Sequence, residues 1–163
     1  ILKNKTSQLR EGERPLALEE DLAFQLVKSF DADQQKLGLN QQASQRDLKG
    51  AGQAKPGEYE DFGITWTKLK SSQQELLLKL IKKGYVDNYK GAYSEAAWQK
   101  ILDQKESLRF SFYGGTSLTE PHYYRIIGKT TVIVLFNTQN GTQKTPVNHV
   151  HLLWRDRDTD FPK

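Results

Sequence analysis

Apolar positions recur at helical spacing over the first two thirds of the chain and alternate over the last third. In "LALEEDLAFQLVKSF", Leu18, Leu22, Leu26 and Phe30 stand four apart with Ala23 and Val27 beside them, which predicts an amphipathic helix. "DADQQKL" predicts a short second helix capped by an aspartate. From Gly38 to Gly63 the chain is rich in Gln, Gly and charge with little periodicity, and a long surface loop is expected. Helix resumes in "SSQQELLLKLIKKG". There Ser72 and Glu75 fit a capping box, Leu76, Leu77, Leu80 and Ile81 form the buried stripe, and Gly84 supplies the stop. "SEAAWQKIL" adds a helix with Trp98, Ile101 and Leu102 inward.

After residue 106 the period falls to two. "SLRFSFYGG" sets Leu108, Phe110 and Phe112 against Ser107, Arg109, Ser111 and Tyr113. "PHYYRIIG" and "KTTVIVLFN" predict two further strands, with Gly128-Lys129 as a two-residue type II′ turn between them, and "VNHVHLLWRD" predicts a last one. Helices first and an antiparallel meander second is the pattern of an α+β domain. The expected fold is a single domain over 1–163, with a helical part at about 16–105 and a sheet part at about 106–157. The N-terminal helices should pack on one face of a four-stranded, mainly antiparallel sheet formed by the C-terminal third.

Composition narrows the chemistry. The 163 residues suffice for one ordinary core, and 36% hydrophobic content leaves much polar surface. The net charge is +4, but the basic residues are interleaved with acids, which suits a solvated surface and not a nucleic-acid stripe. The absence of cysteine excludes disulfides, thiolate nucleophiles and cysteine metal sites. The longest aliphatic or aromatic run, "VIVLF", is too short to cross a bilayer, so no membrane partner is expected. With no methionine and Ile1 first, the chain is expected to be a soluble processed form or part of a longer protein. The compartment stays open, a secreted form included, and the sequons "NKT" and "NGT" carry meaning only in a eukaryotic secretory setting.

The three histidines, His122, His149 and His151, all fall in the last third. On a strand, Val150, Leu152 and Trp154 share one face, the natural one to pack on helices, while His149, His151, Leu153 and Arg155 share the other. That arrangement sets two imidazoles about 7 Å apart along the backbone. Arg109, Ser111 and Tyr113 should point the same way, and the strand of His122, Tyr123, Tyr124 and Arg125 offers polar groups on both faces. Three readings stay open. One is a hydrogen-bond network that fixes loops on the sheet. A second is a divalent metal held by His122, His149 and His151. The third is an anion pocket with histidine as acid or base and Arg109, Arg125 or Arg155 as clamp. "DRDTD" begins like a calcium loop but has Phe161 where glycine is required, and "YGGT" is followed by no helix to accept a phosphate; both read as turns.

The ordered run "FYGGT…EPHYYRIIG", "FNTQN" and "NHVHLLWRD…DF" resembles the C-terminal half of the domain of unknown function 3500 family. It maps the family's pattern to Gly114, Gly115, Pro121, His122, Tyr123, Tyr124, Arg125 and Ile126. It continues through Asn137, Thr138, Gln139 and Asn140 to Asn148, His149, His151, Trp154, Arg155 and Asp156. The motifs span about 110–161, and the helices before them are similar in spacing only. The resemblance implies a longer protein whose earlier half carries its own histidine-rich strand, so the missing N-terminal half would be a partner of this site. It implies no established activity. The sequence departs from the family where acidic residues usually precede Asn-Thr-Gln, since it reads "VIVLFN", and in its longer loop from Asn140 to Asn148.

The expected function is therefore binding of a small polar or anionic ligand at His122, His149, His151, Arg125 and Arg155, with Tyr123, Tyr124 and Asn148 as secondary contacts. Hydrolytic or acid–base activity would use His149 or His151 as base. The alternative is a non-catalytic structural or interaction domain in which the same residues form a hydrogen-bond network.

Overall fold

The helices lie mostly before the change of period near residue 106 and the four long strands after it, but two short strands of the same sheet precede it. The computed structural model describes residues 14–42, 59–89, 91–139 and 149–160. Among them are four α-helices: α1 (Ala17–Lys28), α2 (Ala32–Gly38), α3 (Ser71–Gly84) and α4 (Ala92–Asp103). Six strands form one sheet: β1 (Leu39–Asn40), β2 (Ile64–Thr65), β3 (Arg109–Gly114), β4 (His122–Ile127), β5 (Thr131–Gln139) and β6 (His149–Asp156). No helix among the described residues is long and apolar enough to cross a membrane.

The sheet is larger than the four expected strands, and partly parallel. Its order is β1-β3-β4-β5-β6, with β2 also paired to β3. β3 to β6 form the antiparallel meander that the alternation predicts. Of the two additions, β1 lies within the stretch 38–63 expected to be one long loop, and β2 follows directly after it. β1 runs parallel to β3 at Leu39↔Phe112, and β2 runs antiparallel to it at Ile64↔Phe110. Two-residue strands carry no periodicity; tertiary contact with β3 specifies them. The close approach explains Gly38, where a Cβ would lie 2.8 Å from the Phe30 ring and 3.0 Å from Ile64. The middle of that loop, 43–58, lies outside the described residues.

Local signals decide the helix ends. Asp31 accepts from the Gln34 backbone N–H, and the Gln34 side chain accepts from the Asp31 N–H, a capping box at the expected aspartate. The start of α3 differs from the expected Ser72–Glu75 box: Gln73 Oε1 accepts from the Lys70 N–H at 2.8 Å. Gly128 is not among the glycines with positive φ, so the β4–β5 link is not the type II′ turn expected. Gln104, at the end of α4, clamps that link. Its Oε1 accepts from the N–H groups of Thr130 and Thr131, at 2.9 and 3.3 Å, leaving no room for a Cβ on Gly128.

The helices cover one face of the sheet. Phe110, Phe112, Tyr124, Ile126, Ile133 and Leu135 meet Leu22, Phe24, Leu26 and Val27 of α1 and Leu77, Leu80 and Ile81 of α3 in one core. Leu18 falls outside it, exposed, while Phe24 is buried. A four-residue step overshoots one helical turn by about 40°, so Leu18 and Phe30 cannot share one narrow face. The opposite face buries Tyr113, Tyr123, Val132, Val134 and Phe136 beneath Tyr59 and Phe62. Trp154, Leu152 and Val150 sit on the helical face as expected, but they are only half-buried because β6 ends the strand order.

Central and edge positions should therefore differ in cost. Phe110→Ala, fully buried between Phe30 and Tyr124, is expected to lose about 3–5 kcal/mol. Trp154→Ala, which removes less area from the interior, should lose about 1–2 kcal/mol. Urea midpoints of the two variants measure the difference; equal losses would contradict this placement of the core.

Candidate functional site

Side-chain alternation divides the polar residues of the last four strands between two faces. His122 pairs with Asn137 across β4 and β5, and its ring lies on the helical face, 4.7 Å from the Phe24 ring and stacked 6.0 Å from Phe112. His149 and His151 share a face with Leu153, which packs on the opposite core. The three histidines therefore do not converge, and the three-histidine metal centre has no geometry here. Among the described residues no three His, Cys, Asp or Glu side chains are grouped to hold a metal ion.

His122 is instead part of a buried network under α1. It is 1% exposed, and Glu20 is 4% exposed. Nδ1 lies 2.7 Å from the carbonyl oxygen of Glu120, and Nε2 lies 2.9 Å from Glu20 Oε1. A carbonyl only accepts, so Nδ1 must donate; with Glu20 ionised, Nε2 must donate too. Asn137 Nδ2 donates to the same Glu20 oxygen at 2.6 Å, and Arg14 Nη1 donates to the other at 3.1 Å. Burial alone would raise the carboxyl's pKa, but the hydrogen bonds from His122 and Asn137, with the charges of His122 and Arg14, outweigh it and hold it below its ordinary value. Asn137 Oδ1 is the one buried side-chain polar atom among the described residues that has no hydrogen-bond partner.

Two more predicted residues are closed off on the same strand. The Tyr124 hydroxyl meets Tyr85 at 2.6 Å inside the helical core, and burial drives both phenols well above their ordinary pKa. Tyr123 stacks between Tyr113 at 4.2 Å and Phe136 at 4.9 Å, and burial, aided by the charge of Glu60, pushes it up to about 12.

Arg125 faces the other way and is 2% exposed. Its guanidinium lies 4.6 Å from the Tyr113 ring centre and 5.3 Å from that of Tyr59. Nη2 donates to Glu60 Oε1 at 2.9 Å, and the Tyr113 hydroxyl donates to the same oxygen at 3.1 Å. Burial lowers the guanidinium's pKa against the opposing pull of Glu60, yet an arginine stays charged. The arginine expected to clamp a ligand thus clamps the 59–62 segment onto the sheet.

The accessible part of the predicted site is on β6. His149 is exposed and His151 half-buried, and their Nε2 atoms approach to 2.6 Å with ring centres 4.6 Å apart. Arg155 is exposed on the same face, and Asn148 lies outside the described residues. Arg109 sits at the far end of the face, paired with Asp61. Glu20 and Glu60 are absent from the site that the sequence suggests, and Asn137 enters there only through the family motif. Glu20 carried one usable signal, since it lies four residues before Phe24 and so on a buried stripe of α1.

The Glu20 network makes stability depend on acid. Because its folded-state pKa is depressed, its contribution is complete above the unfolded-state value and is lost as pH falls through the folded-state value. Glu20→Gln should flatten the acid limb of the melting temperature against pH. Glu20→Ala should cost roughly 3–5 kcal/mol at neutral pH, by leaving buried donors unpaired. An acid limb identical in the wild type and Glu20→Gln would remove this assignment.

No match appears among curated proteins or among solved structures. The family model described as "Protein of unknown function (DUF3500)" matches residues 3–163, so the likeness covers the helices as well as the histidine strands and gives no support for confining it to a C-terminal half. The chain belongs to that family.

Proposed function

We propose that the chain is a binding domain that takes a small polar or anionic ligand at the exposed run of β6, with His149 and His151 as its paired hydrogen-bonding groups. The observation that supports this reading is the approach of the two Nε2 atoms to 2.6 Å at an accessible position. Nitrogens that close share a single proton, one ring donating and the other accepting. An anionic oxygen placed between the rings accepts the hydrogen that one ring otherwise donates to the other. Arg155 follows on the same face about 13 Å along the backbone, which adds positive field and a direct contact for an extended ligand. Acid–base chemistry, if this site performs any, falls to the same pair, with His149 or His151 as base.

The burial of His122 and Arg125 favours the second reading for those residues alone: a hydrogen-bond network that holds α1 and the 59–62 segment to the sheet. The ligand site is accordingly narrower than the sequence suggests. Tyr123 and Tyr124 are too deep to touch a solvent-borne ligand without opening the core.

Histidine ring resonances followed during titration with inorganic phosphate test the proposal. Signals of His149 and His151 should move together and saturate, while that of His122 stays fixed. His149→Asn and His151→Asn should each remove the response at a stability change below ~1 kcal/mol. Large losses of melting temperature in both variants, or no response to phosphate or to a neutral polyol, would leave the structural or interaction domain as the reading. A response to zinc alone would assign the pair to a metal.

A further inference from the structure

On the helical face of the same strand, away from the histidines, α4 and β6 enclose a hollow of about 320 Å³. Its walls include Trp154, Tyr89 and Tyr93, and its rim includes Lys100, Asp156 and Asp160. Tyr89 stands between the other two rings, 5.3 Å from Trp154 at 73° and 5.2 Å from Tyr93 at 49°. Three inclined rings thus border one space. Tyr89 is 46% exposed and Tyr93 63%, so the cluster is not filler for a closed core. Small residues on α4, Ala96 and Ala97, line the same hollow.

The rim carries both signs, with carboxylates in excess. Among the described residues that line it Lys100 is the one cation, and it is engaged by Asp156 at 2.5 Å and Asp158 at 3.4 Å. Asp160 Oδ2 accepts the Asp156 N–H at 2.8 Å, which fixes that carboxylate on the rim. Asp156 and Asp158 both reach the Lys100 ammonium, and Asp160 adds a third carboxylate to the same turn. Aromatic faces present negative potential, and a net negative rim adds to it, so both select a cation over a neutral or anionic group. The volume lies at the lower end of the range for small-ligand sites, roughly 300–1,000 Å³.

We propose that this hollow binds the head of a small organic cation, an alkylammonium or quaternary ammonium group, against Trp154, Tyr89 and Tyr93. The site is separate from the histidine pair: it uses the other face of β6 and the opposite ligand charge. Alkyl groups on nitrogen spread the charge over a surface that sheds water readily, which suits an aromatic wall better than a strongly hydrated ammonium does. The carboxylates then act at longer range without displacing Lys100 from Asp156.

Titration of the folded chain with tetramethylammonium chloride, followed by the Trp154 indole resonance, tests this against sodium chloride at equal ionic strength. The neutral isostere tert-butanol serves as the second control. The cation should give a saturable shift, with tert-butanol binding about tenfold more weakly or less. Tyr93→Ala should abolish the shift while leaving the melting temperature close to wild type, Tyr93→Phe should retain it, and Asp160→Asn should weaken it. An absent shift, an equal response to tert-butanol, or binding of methyl glucoside in place of the cation would overturn the proposal. The phosphate response of His149 and His151 is measured at different residues, so either result can fail without the other.

Discussion

A buried carboxylate holds the helical layer to the sheet. Glu20 lies within α1 and receives hydrogen bonds from His122 on β4 and Asn137 on β5, with Arg14 closing its outer side. A charge removed from water is tolerable only when paired and fully hydrogen-bonded, so the network fixes the position of α1 over the centre of the sheet within narrow limits. The apolar contacts that supply most of the stability follow from that placement: Phe24 meets Phe112, and Leu22, Leu26 and Val27 reach the sheet. Gly84 belongs to the same constraint, because a Cβ there would lie 2.8 Å from the Glu19 side chain, where α3 crosses close to α1.

The opposite face solves the same problem with reversed charge. Arg125 is buried in the sheet, and the segment carrying Tyr59, Glu60 and Phe62 supplies its counter-charge, one ring beneath the guanidinium and a second ring for Tyr113. Each face of β4 therefore ties a buried side chain to an element distant in sequence: His122 to the buried Glu20 on one side, and Arg125 to the largely exposed Glu60 on the other. Net stabilisation from such pairs is modest, but a misplaced partner is costly, so their main effect is on which arrangement of helices and strap the sheet accepts.

Periodicity carried the regular elements well. α1, α3, α4 and the antiparallel meander stand where the apolar spacing puts them, and the face of Trp154 follows from alternation alone. What was not legible depends on contacts at long sequence distance. β1 and β2 exist because Phe110 and Phe112 need edge partners, and nothing within their own two residues says so. The depth of the Pro-His-Tyr-Tyr-Arg segment was equally hidden. Histidine, tyrosine and arginine at successive positions suggest a site, yet the same residue types satisfy a strand that is buried on both faces and tied to two covering layers.

Strand order thus decides which of the chain's chemical residues can meet a ligand. β4 and β6 have similar densities of histidine, arginine and aromatic residues, but β4 is interior, and every side chain from His122 to Ile126 is buried. β6 terminates the order and is half-buried along most of its length. Its alternation consequently presents two accessible surfaces with different character: imidazoles and Arg155 on one face, and Trp154 with the tyrosines of the α4 side on the other. An edge strand gives up packing energy to keep both faces within reach of solvent. Here that loss falls on the strand that carries His149 and His151, whereas the polar residues of β4, His122 and Arg125 among them, are buried and tie the covering layers to the sheet.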